Sequence, residues 1–325
     1  MRKTTALLCA GLAWTLPGSL PAAAQGLPER STLHIIGGFA PGGTSDLTAR
    51  LIAEGVAPIL GRRVVVENRT GANGFIAAEA VVRGANDGTV LFQCPMGTMT
   101  ISPELPGMVM PIDVGRDLIP VANVALSSYG AVVQAKGPYA DLPAVLQAAR
   151  GKPNAVSFAS AGSGTAQHLM GERLQGLTGL KLLHVPYRGA APAALDIMAG
   201  RADFMITNMG DVVRQIQGGE LRLVALGDAS MRDAFPDTPL LSDTVPGLQV
   251  VGWFGLCGPR GMPAAAVTQW SEAVEKALQD EALRKRLRDN GLTPLHEGPD
   301  AFATRIASDR RLWGEVIRAA GVRVD

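Results

Sequence analysis

The chain makes the same move twice. An apolar strand candidate at residues 33–36 runs into Phe39-Ala40-Pro41-Gly42-Gly43-Thr44, and a helix candidate follows at 45–59. Another strand candidate at 155–159 runs into Phe158-Ala159-Ser160-Ala161-Gly162-Ser163-Gly164-Thr165, and a helix candidate follows at 165–175. Small residues let a backbone approach a ligand closely. A helix start offers unpaired N–H groups and the positive end of the dipole, so each loop suits an anion. Either loop alone is ordinary turn and cap chemistry. The matched pair points to two helix starts facing one cleft.

The rest of the chain has room for this arrangement. Strand candidates at 64–67, 89–93 and 120–124 complete a first βαβ series, with a helix at 75–83. The pattern restarts with strands at 182–186, 203–207 and 221–226 and helices at 190–199 and 210–217. Alternating strands and helices predict an α/β fold with mainly parallel sheets. One late strand, 250–257, must return to an existing sheet, and two long helical stretches, 264–290 and 299–320, must cover one.

The N-terminus has the order of a cleaved export signal. Arg2 and Lys3 precede an apolar run at 6–16, and Ala22, Ala23 and Ala24 give a small-residue cleavage site near Ala24. The run is too short to anchor in a bilayer. Without Arg2 and Lys3 the balance moves from 30 basic and 29 acidic residues to 28 and 29, a net −1. No basic block or basic-aromatic patch is present, so nucleic acid is not an expected partner. Past the signal the cysteines are Cys94 and Cys257. Their spacing leaves pairing open, and two buried free thiols is the preferred reading.

No His/Asp/Glu grouping has metal-ligand spacing, and Gly71-x-x-Gly74 is not a dinucleotide fingerprint, so no metal and no cofactor is expected. A serine hydrolase built on Ser163 fails the elbow pattern at Ala161 and Thr165, and no enzyme activity is expected. His34 and His184 read as packed strand histidines, and His296 as a solvated loop residue. Asp46 is expected to pair with Arg50 one helical turn away. Tyr187, at a strand end, either faces the cleft or packs on the Arg188-Gly189 turn. Thr44 and Ser163 are the hydroxyls expected both to cap a helix and to reach the anion.

At this resolution of detail a family resemblance emerges. Phe39-Ala40-Pro41-Gly42-Gly43-Thr44-Ser45-Asp46 with Arg50 resembles the first signature of the Bug receptors, the substrate-binding proteins of tripartite tricarboxylate transporters. Val66-Glu67-Asn68-Arg69, Asp87-Gly88-Thr89, Gly162-Ser163-Gly164-Thr165 with His168, His184-Val185-Pro186-Tyr187-Arg188-Gly189, Gly200-Arg201-Ala202-Asp203 and Trp253-Phe254-Gly255 follow in the family's order. Asn73, Asn86 and Leu240-Leu241-Ser242-Asp243 depart from it, the first replacing a usual glycine.

The resemblance implies a type II, Venus-flytrap periplasmic binding protein with a doubly crossed hinge; the restart of the strand–helix pattern and the late strand at Val250 set the split, with domain 1 at 25–126 plus 246–325 and domain 2 at 127–245. It implies a monomeric periplasmic receptor that binds a small organic acid and hands it to the membrane subunits of a tripartite transporter; a sensory role is the runner-up. The candidate ligand-binding residues are Ala40, Gly42, Gly43, Thr44, Ser45, Ser160, Gly162, Ser163, Gly164, Thr165, His168, Tyr187, Asp203 and Asn208.

Overall fold

A computed structural model describes residues 26–323; the expected export signal lies outside the described residues. The chain runs β1 (Leu33–Gly37), α1 (Thr44–Leu60), β2 (Val64–Asn68), α2 (Phe75–Val82), β3 (Val90–Pro95), α3 (Val114–Asp117) and β4 (Leu118–Gln134). It continues through α4 (Leu142–Ala149), β5 (Ser157–Ser160), α5 (Ala166–Thr178), β6 (Leu183–Pro186), α6 (Ala190–Met198), β7 (Phe204–Asn208), α7 (Met209–Gln217) and β8 (Leu221–Leu226). It ends with α8 (Leu241–Thr244), β9 (Val251–Pro259), α9 (Ala264–Ala277), α10 (Glu281–Arg288), β10 (Leu292–Glu297) and α11 (Pro299–Ala320).

The ten strands of the described residues are linked through β4, in the order β2-β1-β3-β9-β4-β7-β5-β6, with β10 and β8 also paired to β4. The 17-residue β4 is antiparallel to β9 from Leu118 to Ser128, then antiparallel to β7 from Tyr129 to Val133. It therefore divides the structure into two wings. The expected mainly parallel sheets are found only at the flanks, β2-β1-β3 and β6-β5-β7; the strands that join them are antiparallel. The late strand does return to the first wing, as β9 between β3 and β4.

Three departures from the sequence reading have local causes. The stretch read as one helix at 264–290 is broken, because Asp280 caps a new helix by accepting from the Ala282 N–H. The chain then forms β10, so His296 lies in a strand, half-buried and hydrogen-bonded to Ser271, and not in a solvated loop. Cys94 and Cys257 are disulfide-bonded, not free. They sit on neighbouring antiparallel strands, on one face, with Phe92 opposite Cys257 and Cys94 opposite Gly255, and their Cα atoms are 5.9 Å apart.

The core of the first wing packs α1 and α9 on one sheet face, with Trp270 and Ile52 fully buried, while Phe302 of α11 meets Trp253 edge-on across the other. In the second wing Phe158, His168 and His184 stack, the two imidazole centroids 4.1 Å apart, and His184 Nε2 lies 2.7 Å from the Ser160 hydroxyl. His34 pairs with Glu67 at 2.8 Å.

Two outcomes follow for stability. The disulfide closes a loop of 163 residues. The double variant Cys94→Ala/Cys257→Ala should lose about 2–4 kcal/mol in urea unfolding relative to the oxidised protein. Burial, and then the neighbouring His168, lower the His184 pKa from 6.5 to about 3. Between those values the unfolded chain binds a proton that the folded chain refuses, so His184 makes stability fall as pH drops from 6.5 toward 3. Urea midpoints measured across that window should fall less steeply in His184→Gln than in the wild type; parallel curves would contradict this assignment.

Candidate ligand-binding site

The two wings meet over a cavity of about 50 Å³, which is room for a few water molecules. Four helix N-termini line it. Gly43, Thr44 and Ser45 come from the start of α1, Thr165, Ala166 and Gln167 from α5, Ala190 from α6, and Asn208 and Asp211 from α7. Glycines make this convergence possible. At Gly189 φ is 142°, and a Cβ there would lie 2.9 Å from the Ala40 side chain of the other wing. Phe39, Tyr129, Trp253 and Phe254 supply apolar walls. Among the described residues that line the cavity there is no Lys, Arg or His, and Asp211 is the one carboxylate.

Asp211 sits in the first turn of α7, 6% exposed, and holds the wings together. One of its oxygens, Oδ1, accepts from the Thr44 N–H at 2.6 Å and from the Thr44 hydroxyl at 2.7 Å. The other, Oδ2, accepts from the Thr207 hydroxyl and, at 3.5 Å, from Gln167 Nε2. Burial pushes its carboxyl above the ordinary range, against the hydrogen bonds from Thr207, Thr44 and Asn208 that pull it down. The residue at the α1 N-cap is Gly43, which has no side chain to cap with. Asp211 thus does for α1, from the opposite wing, what a capping side chain would do locally.

This geometry changes the roles expected of two hydroxyls. Thr44 does not cap α1; it is the first helical residue and donates to Asp211. Ser163 does not cap α5. Gly162 and Gly164, with φ of 137° and 82°, carry the loop past it, and the N-cap is Thr165, whose hydroxyl accepts from the His168 N–H.

The remaining candidates divide by place. Ala40, Gly43, Thr44, Ser45, Thr165 and Asn208 line the cavity. Gly162, Ser163 and Tyr187 line an outer opening that shares Phe39, Asn73 and Ala161 with the cavity and carries Arg188 at its edge. Gly42, Ser160, Gly164, His168 and Asp203 line neither. Gly42 donates to Asp46, which also pairs with Arg50 at 2.9 Å as expected. Burial raises the Asp46 pKa but is outweighed by Arg50 and the Gly42 N–H, so the carboxyl stays below its ordinary value. His168 Nδ1 accepts from the Gly164 N–H, and its Nε2 faces Glu172 at 3.6 Å. The Tyr187 hydroxyl donates to Asp196 at 2.6 Å, and Asp203 accepts from Ser157 and Tyr139.

Sequence reading missed Asp211, Gln167 and Tyr129. Asp211 looks like an ordinary acid in a helix first turn, and its partner Thr44 is 167 residues away. In the sequence Asn73 stands out only as a departure from the family pattern. It adopts a left-handed conformation, φ 52° and ψ 41°, and its Nδ2 donates to the Gly164 carbonyl at 2.9 Å, a second contact between the wings. Its Oδ1 is buried without a donor among the described residues.

The chain is similar to known proteins over most of its length. Residues 48–322 match the tripartite tricarboxylate transporter family receptor model. Protein BugT of Bordetella pertussis is 30% identical over 331 residues, covering 100% of both chains. An R. palustris protein solved with adipate is 28% identical, covers 91% of this chain and 99% of its own, and superimposes with a TM-score of 0.87. MatC from Rhodopseudomonas palustris, solved with bound malate, is 28% identical over 90% of this chain and 100% of its own, with a TM-score of 0.84. The fold is therefore the α/β periplasmic-binding-protein fold, and the chain belongs to the tripartite tricarboxylate transporter family receptors, the Bug proteins.

Proposed function

We propose that this receptor is exported to the periplasm, closes as a monomer around a small organic acid, and delivers it to the membrane subunits of a tripartite transporter. The observation that carries the reading is the cavity itself. Four helix starts and, among the described lining residues, no side-chain cation meet between two wings, an environment that holds a carboxylate through N–H groups, hydroxyls and ordered water. Relatives solved with adipate and malate support a carboxylate as the class of ligand.

The moving parts in this proposal are domain 1, 25–126 plus 246–325, and domain 2, 127–245. The change of partner along β4, from β9 at Ser128 to β7 at Tyr129, supports the first boundary. The return into β9 at Val251 supports the second. The cavity lies where the two wings meet, so closing them around an acid would shield it from solvent.

A thermal-shift screen of mono-, di- and tricarboxylates, acidic amino acids and aromatic acids tests the receptor reading. A true ligand at 100 times its Kd should add about 2.7 kcal/mol to stability. Silence across the whole panel would sink it. The closure contact has its own test. Thr44→Val removes a hydrogen bond to a charged group, worth about 1.5–3 kcal/mol. Titration calorimetry with the best acid should show affinity lowered about tenfold or more, while Thr44→Ser stays near wild type. Ser163→Ala, at the outer opening, should change affinity by less than about threefold, within about 0.6 kcal/mol.

A further inference from the structure

We infer that Asp211 sets the net charge of the ligand, restricting the site to organic acids that carry a single net negative charge. The inference rests on the carboxylate-receptor reading and deepens it. A helix N-terminus carries roughly half an elementary positive charge. Four of them, on helices of 17, 13, 9 and 9 residues, line the cavity and amount to about two positive charges. As an anion, the form that accepts from Thr44, Thr207 and Gln167, Asp211 cancels about one, and no Lys, Arg or His among the described lining residues restores it. What is left balances one carboxylate.

The hydrogen-bond geometry agrees with the charge count. The N–H and hydroxyl of Thr44, the groups best placed at α1 to take a ligand carboxylate, are both held by Asp211. A ligand carboxylate is left with Ser45 of α1, Ala166 and Gln167 of α5 and Ala190 of α6, whose amides belong to the first turns that a helix leaves without internal acceptors. A second carboxylate would have to lie beside Asp211 in a space walled by Phe39, Trp253 and Phe254, where like charges are poorly screened. Arg188 does not relieve this, because it is exposed at the outer opening, where water screens its charge. A neutral or cationic group in the same place meets no such penalty. Monocarboxylates, half-amides and zwitterionic amino diacids all satisfy the rule.

The test uses acids matched in shape and differing by one charge: succinate with succinamate, adipate with adipamate, and terephthalate with 4-carbamoylbenzoate. Dissociation constants are measured by calorimetry for the full mature protein and for Asp211→Asn, which removes the charge and keeps an acceptor for Thr44. In the wild type the monoanion of each bound pair should be at least tenfold tighter than its dianion. In Asp211→Asn that ratio should fall to near one or invert. A wild type that binds dianions as tightly as monoanions overturns the inference, as does a monoanion preference that Asp211→Asn leaves intact. Silence of all six probes in both proteins overturns the receptor reading together with this one. If Asp211→Asn does not fold, as judged by circular dichroism, Asp211→Ser takes its place and the wild-type ratio stands as the primary measurement.

Discussion

Strand β4 is the element on which everything else is hung. Its first half is hydrogen-bonded to β9 and β10, its second half to β7 and β8, so both wings take their register from one continuous backbone. A one-residue slip would turn every side chain to the opposite face. Buried residues on both faces of β4 forbid that, since Val121, Ala122, Val124, Ala125, Ala131, Val132 and Val133 are all at or below 1% exposed. The Cys94–Cys257 bond fixes the neighbouring pair β3 and β9 against the same strand. With the sheet fixed, the loops after β1, β5 and β7 can only open toward the space between the wings. That is where ligands sit in open α/β sheets, outside the carboxyl ends of the strands.

The electrostatics of that space follow from backbone geometry more than from side chains. Helix ends bring positive potential without the desolvation that a buried lysine or arginine would require. Asp211 is tolerated there because it satisfies the α1 start and is itself satisfied by Thr44, Thr207 and Gln167. A buried carboxylate with fewer donors would be costly. The two bonds from Thr44 span the wings, so the group that tunes the charge of the cavity also contributes to closing it.

Much of this was legible in the sequence. The repeated strand-loop-helix start located β1–α1 and β5–α5, and the late apolar run located β9, because each is a local pattern of apolar residues and glycines. The α/β class and the family followed from the same motifs. What escaped was non-local or masked by a neighbour. The run 264–290 has helical periodicity on both sides of Asp280, and only the cap chemistry reveals the break. Helix α4 is absent from the sequence reading although Asp141 followed by Pro143 is a start signal. The disulfide could not be inferred because it depends on which strands are adjacent. The cavity was half legible. The loops named Thr44 and Thr165, but Asp211 has meaning only through a residue on the other wing.

Asn73 shows how a departure from a family pattern acquires a physical role. The backbone there is left-handed, a conformation glycine adopts without strain and asparagine tolerates better than most residues. Exchanging glycine for asparagine keeps the turn and adds an amide, and that amide donates to the Gly164 carbonyl across the cleft. Asn73 borders both the cavity and its outer opening, while Asp211 borders the cavity alone. The wings are thus held at the rim by neutral hydrogen bonds from Asn73 and Ser102 to the Gly164 carbonyl, and in the interior by charged, buried ones from Thr44 to Asp211. A neutral hydrogen bond is the weaker kind, and water reaches the part-buried Asn73 contact before the buried Asp211 one. Opening should therefore start at Asn73, and the Asp211–Thr44 contact should yield last, when water can solvate the carboxylate it exposes.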